Sequence, residues 1–310
     1  MKRRTFNKQA LQTAAFVGIS PSFVKSSADT PYIRLGGPLF EPINSPESWI
    51  ESLKRKNYRA AYCPLKPDAP SEEIKAYEQA AKKADIVISE VGVWINLIST
   101  DQNVKKEAIS KTIEGLRLAE SIGANCCVNV SGSKNPEHWA GPHPENLSEN
   151  TFEEIVETTR KIIDEVKPQR TFLALEPMPW AYPDSADNYL RLIHAIDRKQ
   201  FGVHLDPMNL IVSPQLYFES GTMIRECFKK LGPHIRSCHG KDIILREDIY
   251  TPQLTECRPG VGAMDYVAFL SELCKLKDIP LMMEHLETSE EYDQAASYIR
   301  SVGKKEGITI

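Results

Sequence analysis

Eight short apolar runs alternate with helical patterns along this chain, and that alternation limits what it can fold into. The runs cover residues 32–35, 58–62, 85–91, 125–130, 171–176, 201–206, 235–239 and 280–284. Between them lie apolar residues at helical spacing over 46–54, 71–83, 104–122, 152–166, 185–196, 223–231, 264–276 and 289–302. Ser45 ahead of Pro46 marks a helix start, and Gly123 a helix stop. Strands that alternate with helices pair in parallel, with the helices packed outside the sheet. Eight such units favour closure as a single (β/α)8 TIM barrel over an open doubly wound sheet. The open sheet's phosphate fingerprints are also absent: no GxGxxG follows the first run, and there is no GxxxxGK[ST]. The expected barrel spans residues 29–310.

Residues 1–28 read as a separate segment. Arg3 and Arg4 are followed by Phe6, a mildly apolar stretch over 10–19 and the small residues Ser26, Ser27 and Ala28. This resembles a twin-arginine export signal, and it makes the periplasm the expected location. Seven cysteines without a CxxC give no disulfide framework or zinc ribbon; Cys63, Cys126, Cys127 and Cys238 on strands are expected as small core hydrophobes. A net charge of −4 and the lack of a basic patch exclude a nucleic-acid partner from the expectation. No run approaches the roughly 18 to 20 apolar residues that span a membrane.

Four of the runs end on a side chain able to ligate a metal. They are TFLALE with Glu176, FGVHLD with Asp206, IRSCH with His239 and PLMME with Glu284. The four recur roughly 30 to 45 residues apart, one strand plus one helix per step. A parallel barrel gathers the C-terminal ends of its strands at one mouth. Three carboxylates buried together repel strongly, and a divalent cation removes that cost. Three oxygen-bearing residues and one imidazole suit one Mn²⁺, Mg²⁺ or Co²⁺ ion, with Zn²⁺ fitting less naturally. Residues two apart on a strand share a face, so His204 is expected one layer below Asp206 and Lys241 at or just above the rim.

These segments resemble the xylose isomerase-like superfamily, in particular the sugar-phosphate isomerase/epimerase group that includes ketose 3-epimerases and inosose-processing enzymes. The resemblance covers about residues 30–305. It rests on Glu176 in LALEP, Asp206 in GVHLDPMN, His239 in CHGKD and Glu284 in MMEHL, with Arg258-Pro259-Gly260-Val261-Gly262 before Asp265-Tyr266. It implies that Glu176 and Glu284 are at once metal ligands and the catalytic acid and base. A cation there chelates a carbonyl and an adjacent hydroxyl, which acidifies the neighbouring C–H. The resemblance also implies a small carbohydrate substrate, with Arg258 on its oxygens, and dimers or tetramers as the common assembly. Lys241 is expected on an oxyanion or phosphate, His204 as a group steadying Asp206, and Trp180 and Trp94 as walls for a sugar ring. His138, Trp139 and His143 fall in a long loop expected to act as a lid. The chain departs from the pattern at Asn209, where the epimerases commonly carry a substrate-binding histidine. It departs again in the lengthened segment between His239 and Arg258, which holds Arg246, Glu247, Asp248 and Tyr250. Both departures lie at the substrate end.

The first expectation is therefore an isomerase or epimerase acting on a sugar or cyclitol by proton transfer next to a carbonyl. The alternatives are a lyase or dehydratase on a keto-sugar or 3-keto-glycoside, and a non-catalytic sugar-binding barrel. A metal-dependent nuclease is a third; it would show more histidine ligands and a basic groove.

Overall fold

The computed structural model describes residues 31–310. The proposed export signal lies outside the described residues. In chain order the elements are β1 (Arg34–Gly36), α1 (Pro46–Arg55), β2 (Ala60–Tyr62), α2 (Ser71–Ala84), β3 (Val87–Gly92), α3 (Gln102–Ile122) and β4 (Cys126–Asn129). Then come α4 (Glu149–Val166), β5 (Phe172–Leu175), α5 (Ala186–Ile196), β6 (Phe201–Leu205), α6 (Pro214–Phe218), α7 (Ser220–Leu231) and β7 (Ile235–Gly240). The chain finishes with β8 (Asp242–Leu245), β9 (Leu254–Cys257), α8 (Tyr266–Leu273), β10 (Pro280–Met283) and α9 (Ser289–Lys305).

Eight strands form one parallel sheet in the order β1-β10-β7-β6-β5-β4-β3-β2. Its two outer strands meet where the Arg59 N–H donates to the Leu35 carbonyl at 2.9 Å. The result is the expected (β/α)8 TIM barrel, and each expected strand is found with ends within two residues. Local chemistry explains the boundaries. Ser45 and Ser48 form a reciprocal capping box at the start of α1, with Pro46 in its first turn. α3 stops at Gly123, whose φ of 76° is cheap for a residue without a Cβ.

The period of two divides the strand residues between two cores. Leu173, Leu175, Val203, Leu205 and Cys127 belong to the large core shared with the helices. Cys126, Val128 and Ala174 form a small apolar cluster of their own, with Phe172 packed on it. The adjacent cysteines thus take opposite faces, and all seven cysteines are free thiols. No helix among the described residues is long and apolar enough to cross a membrane.

The lengthened segment after His239 carries no strand expectation in the sequence. The structure folds it into an antiparallel hairpin, β8 with β9, running from Asp242 opposite Cys257 to Leu245 opposite Leu254. Asp242 anchors its base. One carboxylate oxygen accepts the N–H groups of Ile243 (2.8 Å) and Met264 (2.9 Å). The other accepts those of Gly260 (3.0 Å) and Gly262 (3.2 Å). Gly262 has no alternative, because a Cβ there would sit 2.2 Å from the Ile243 carbonyl oxygen.

Candidate metal centre

Glu176 directly follows β5, Asp206 follows β6, His239 lies on β7 and Glu284 follows β10. One ligating atom from each lies within 4.8 Å of those of the other three. The four residues that the sequence singles out therefore converge at the C-terminal mouth of the barrel. Backbone contacts aim them. The Glu176 N–H donates to the Asn129 carbonyl at 2.8 Å, continuing the β4–β5 ladder past the end of the strand. Asp206 spends one oxygen on the Met208 N–H at 2.9 Å, which turns its other oxygen, Oδ2, towards the cluster. His239 is locked in β7 opposite Met282.

His239 Nδ1 lies 2.7 Å from Glu284 Oε1 and 3.5 Å from Glu176 Oε1. Lys241 Nζ lies 2.6 Å from Glu284 Oε1, 3.0 Å from Asp206 Oδ2 and 3.6 Å from Glu176 Oε1. The expected place of Lys241, at or above the rim, is thus corrected. Its side chain is 2% exposed and its ammonium sits among the carboxylates. Strand alternation carries it inward, and three nearby negative charges hold it there.

The charges set the protonation of the group. Burial pushes the Glu176 carboxyl up, to about 7, and the neighbouring Glu284 adds to this. Burial also opposes the charge on Glu284, but His239 and Lys241 outweigh it and hold this carboxyl well below its usual range. For His239 the desolvation of its ring is overcome by Glu284 and Glu90, so its pKa is raised. Lys241 follows the same logic: burial disfavours its charge, and Asp206, Glu176 and Glu284 more than restore it.

Donor chemistry shows that these residues fit a divalent cation. Asp206 Oδ2, His239 Nδ1 and Glu284 Oε1 are buried, and none has a hydrogen-bond partner among the described residues. Their short contacts with one another and with Lys241 are charge contacts without hydrogen-bond alignment. Three unaligned donor atoms and Glu176 then face one point, where a divalent cation can take the place of the protons that Glu176 and His239 hold in its absence. Lys241→Met should accordingly destabilise the metal-free protein by about 3–5 kcal/mol, since it strands buried charges. Melting in the presence of a chelator checks this, and an unchanged midpoint refutes it.

The remaining candidates divide. Asn209 joins the site, donating from Nδ2 to Glu176 Oε1 at 3.0 Å. His204 is fully buried, as expected from its face, but it does not steady Asp206. Its Nδ1 contacts Ser237 Oγ at 2.5 Å and lies 3.6 Å from Glu90 Oε2. Arg258 donates to the Pro259 carbonyl at 3.1 Å, and no hydrogen bond among the described residues joins it to the cluster. Trp180 is partly exposed and donates from Nε1 to the Ala140 carbonyl at 2.7 Å, tying the loop after β5 to the one after β4. Trp94, after β3, holds its ring 6.1 Å from that of His239.

One participant escapes the sequence reading. Glu90 of β3 is buried, and its Oε1 lies 2.9 Å from His239 Nε2. The available signal was an acid in the middle of an apolar parallel strand, where a charge has to be paired.

Comparison with known proteins adds to this geometry. The sequence pattern of the family described as "Xylose isomerase-like TIM barrel" matches residues 49–302. A xylose isomerase-like TIM barrel protein from Mycobacterium smegmatis, solved in complex with magnesium, is 16% identical; the match covers 89% of this chain and 97% of that one, with a TM-score of 0.61. For 3-keto-D-glucoside 4-epimerase from E. coli the values are 11%, 87%, 99% and 0.61. For endonuclease IV from Thermus thermophilus they are 14%, 88%, 99% and 0.67. At these identities the likeness is one of fold. No protein with a curated description matches the sequence.

Proposed function

The chain belongs to the xylose isomerase-like TIM barrel family, and from that premise we propose a divalent-metal-dependent isomerase or epimerase that moves a proton next to a carbonyl of a sugar or cyclitol. The observation that carries this reading is the convergence of Glu176, Asp206, His239 and Glu284 on one point at the barrel mouth. Those four residues would hold the cation. Mn²⁺, Mg²⁺ or Co²⁺ suits the oxygen-rich set, and when bound it polarises a carbonyl and its neighbouring hydroxyl.

The chain's own groups do the rest. Glu176 and Glu284 reach the site from different strands, so one removes a C–H proton and the other returns one, on the same or the opposite face. Lys241 keeps a fixed positive charge among these carboxylates, 2.6 Å from Glu284 Oε1, where it can offset negative charge that develops on a bound enediolate. Asn209 holds the Glu176 carboxylate through its 3.0 Å hydrogen bond. An acidic ring with a single histidine argues against nuclease chemistry, which must hold phosphates.

A second reading has one observation in its favour. Trp94 and Trp180 are partly exposed on loops that follow barrel strands, and they offer apolar surface for the outer group of a glycoside. On a 3-keto-glycoside the same enediolate can expel a β-substituent, which makes the enzyme a lyase. Incubating candidate sugars and keto-glycosides in deuterated water separates the readings. Isomerase or epimerase action leaves deuterium at a substrate carbon, and a lyase releases a fragment detectable by mass. Neither signal with any substrate bound would indicate a sugar-binding barrel.

A further inference from the structure

Glu90 is a buried carboxylate that the proposed reaction does not use. It lies within β3 and is 1% exposed. Its Oε2 accepts from Ser89 Oγ at 3.1 Å and lies 3.6 Å from His204 Nδ1. A charge taken out of water costs several kcal/mol unless it is well paired, so its strongest contact is informative. That contact is His239 Nε2, at 2.9 Å.

The two nitrogens of His239 face opposite ways. Nε2 points to Glu90, while Nδ1 lies 2.7 Å from Glu284 and 3.5 Å from Glu176. A neutral imidazole carries one proton, and the partner of one nitrogen decides which nitrogen keeps it. Carboxylates face both nitrogens, but only the Nε2 contact with Glu90 is an aligned hydrogen bond, and Nδ1 has no hydrogen-bond partner among the described residues. The proton kept when the ring binds a cation is therefore the one on Nε2, and the lone pair belongs to Nδ1, on the side of the other acids. The ring is also wedged in place. His204 packs edge-on against it at 4.0 Å between centroids, and Tyr62 does so at 6.3 Å.

We propose that Glu90 is a positioning residue that fixes His239 in its Nε2–H tautomer and so presents Nδ1 to a divalent cation. The inference rests on the metal-dependent reading given above and assigns the reacting atoms no new role. It adds β3 to the strands on which metal binding depends.

The test uses the full chain and Mn²⁺. Calorimetric titration compares wild type, Glu90→Gln and Glu90→Leu, and circular dichroism checks that each is folded. Glu90→Gln should bind Mn²⁺ about 10-fold more weakly and Glu90→Leu about 100-fold, the range expected for partners of ligating histidines. Nitrogen-15 spectra of the Zn²⁺-loaded, histidine-labelled protein supply a readout that general loosening would not imitate. In wild type, His239 should carry a slowly exchanging proton on Nε2 and the metal on Nδ1; Glu90→Gln should lose the slow exchange. Equal Mn²⁺ affinity in wild type and Glu90→Gln, or metal on Nε2, overturns the proposal. Should Glu90→Leu not fold, the Glu90→Gln data and the spectra decide alone. A wild type that binds no divalent cation overturns the metal-dependent reading along with this one. The two failures differ, because only the second removes binding from wild type.

Discussion

Glu284→Gln is expected to lower turnover by about 10²–10⁴-fold, the range for loss of a positioned acid or base. The exchange preserves shape but removes the charge that lies 2.7 Å from His239 Nδ1 and 2.6 Å from Lys241 Nζ. A glutamine oxygen remains a weak ligand, so metal affinity should fall too, and turnover has to be measured at saturating metal. Loss of solvent deuterium incorporation must accompany the loss of rate. A variant that binds metal and turns over at the wild-type rate would show that Glu284 only anchors the cation, and the base would have to be sought elsewhere.

Mn²⁺ should raise the melting temperature of the metal-stripped protein and leave that of His239→Ala unchanged. A ligand confined to the folded state stabilises it by about 2.7 kcal/mol at a hundredfold excess over Kd. For a domain of this size that is a shift of roughly 4–5 °C. The effect has a pH signature. Burial raises the Glu176 carboxyl to about 7, above its ordinary value of 4.5. A raised acid stabilises the metal-free fold fully below about 4.5, and that contribution is lost as pH rises towards 7. Metal ligation needs the deprotonated form, so Mn²⁺ affinity should climb as pH rises through about 7. His239 works in the same direction, since its raised pKa makes it hold a second proton against the metal. Affinity that is flat between pH 5.5 and 8 would contradict the assignment of Glu176 as a ligand.

The barrel and its four converging residues were legible because both follow from local pattern. An apolar run ending on Glu176 or Asp206 states the strand, its direction and the side chain at its C-terminal end, and parallel closure does the gathering. What could not be read depends on contacts made across the barrel. Glu90 and His239 are 149 residues apart, and nothing beside either names the other. The depth of Lys241 depends on three carboxylates from other strands, which its own segment does not reveal. The hairpin is hidden for a similar reason: Glu247, Asp248 and Tyr250 look like solvated loop, while its base is anchored by Asp242, a residue that also reads as an ordinary rim charge. Asn209 looked like a lost histidine, and only the fold shows it bonded to Glu176.

Asp242 gathers four backbone N–H groups from two stretches of chain, and Lys241 is its immediate neighbour. The hairpin's root is therefore fastened independently of its tip, residues 246–253, where Arg246 pairs with Asp248 at the surface. The tip works as an interchangeable fitting on a fixed socket. Its length and sequence can drift, or be exchanged by design, while Lys241 and the ligand strands keep their places.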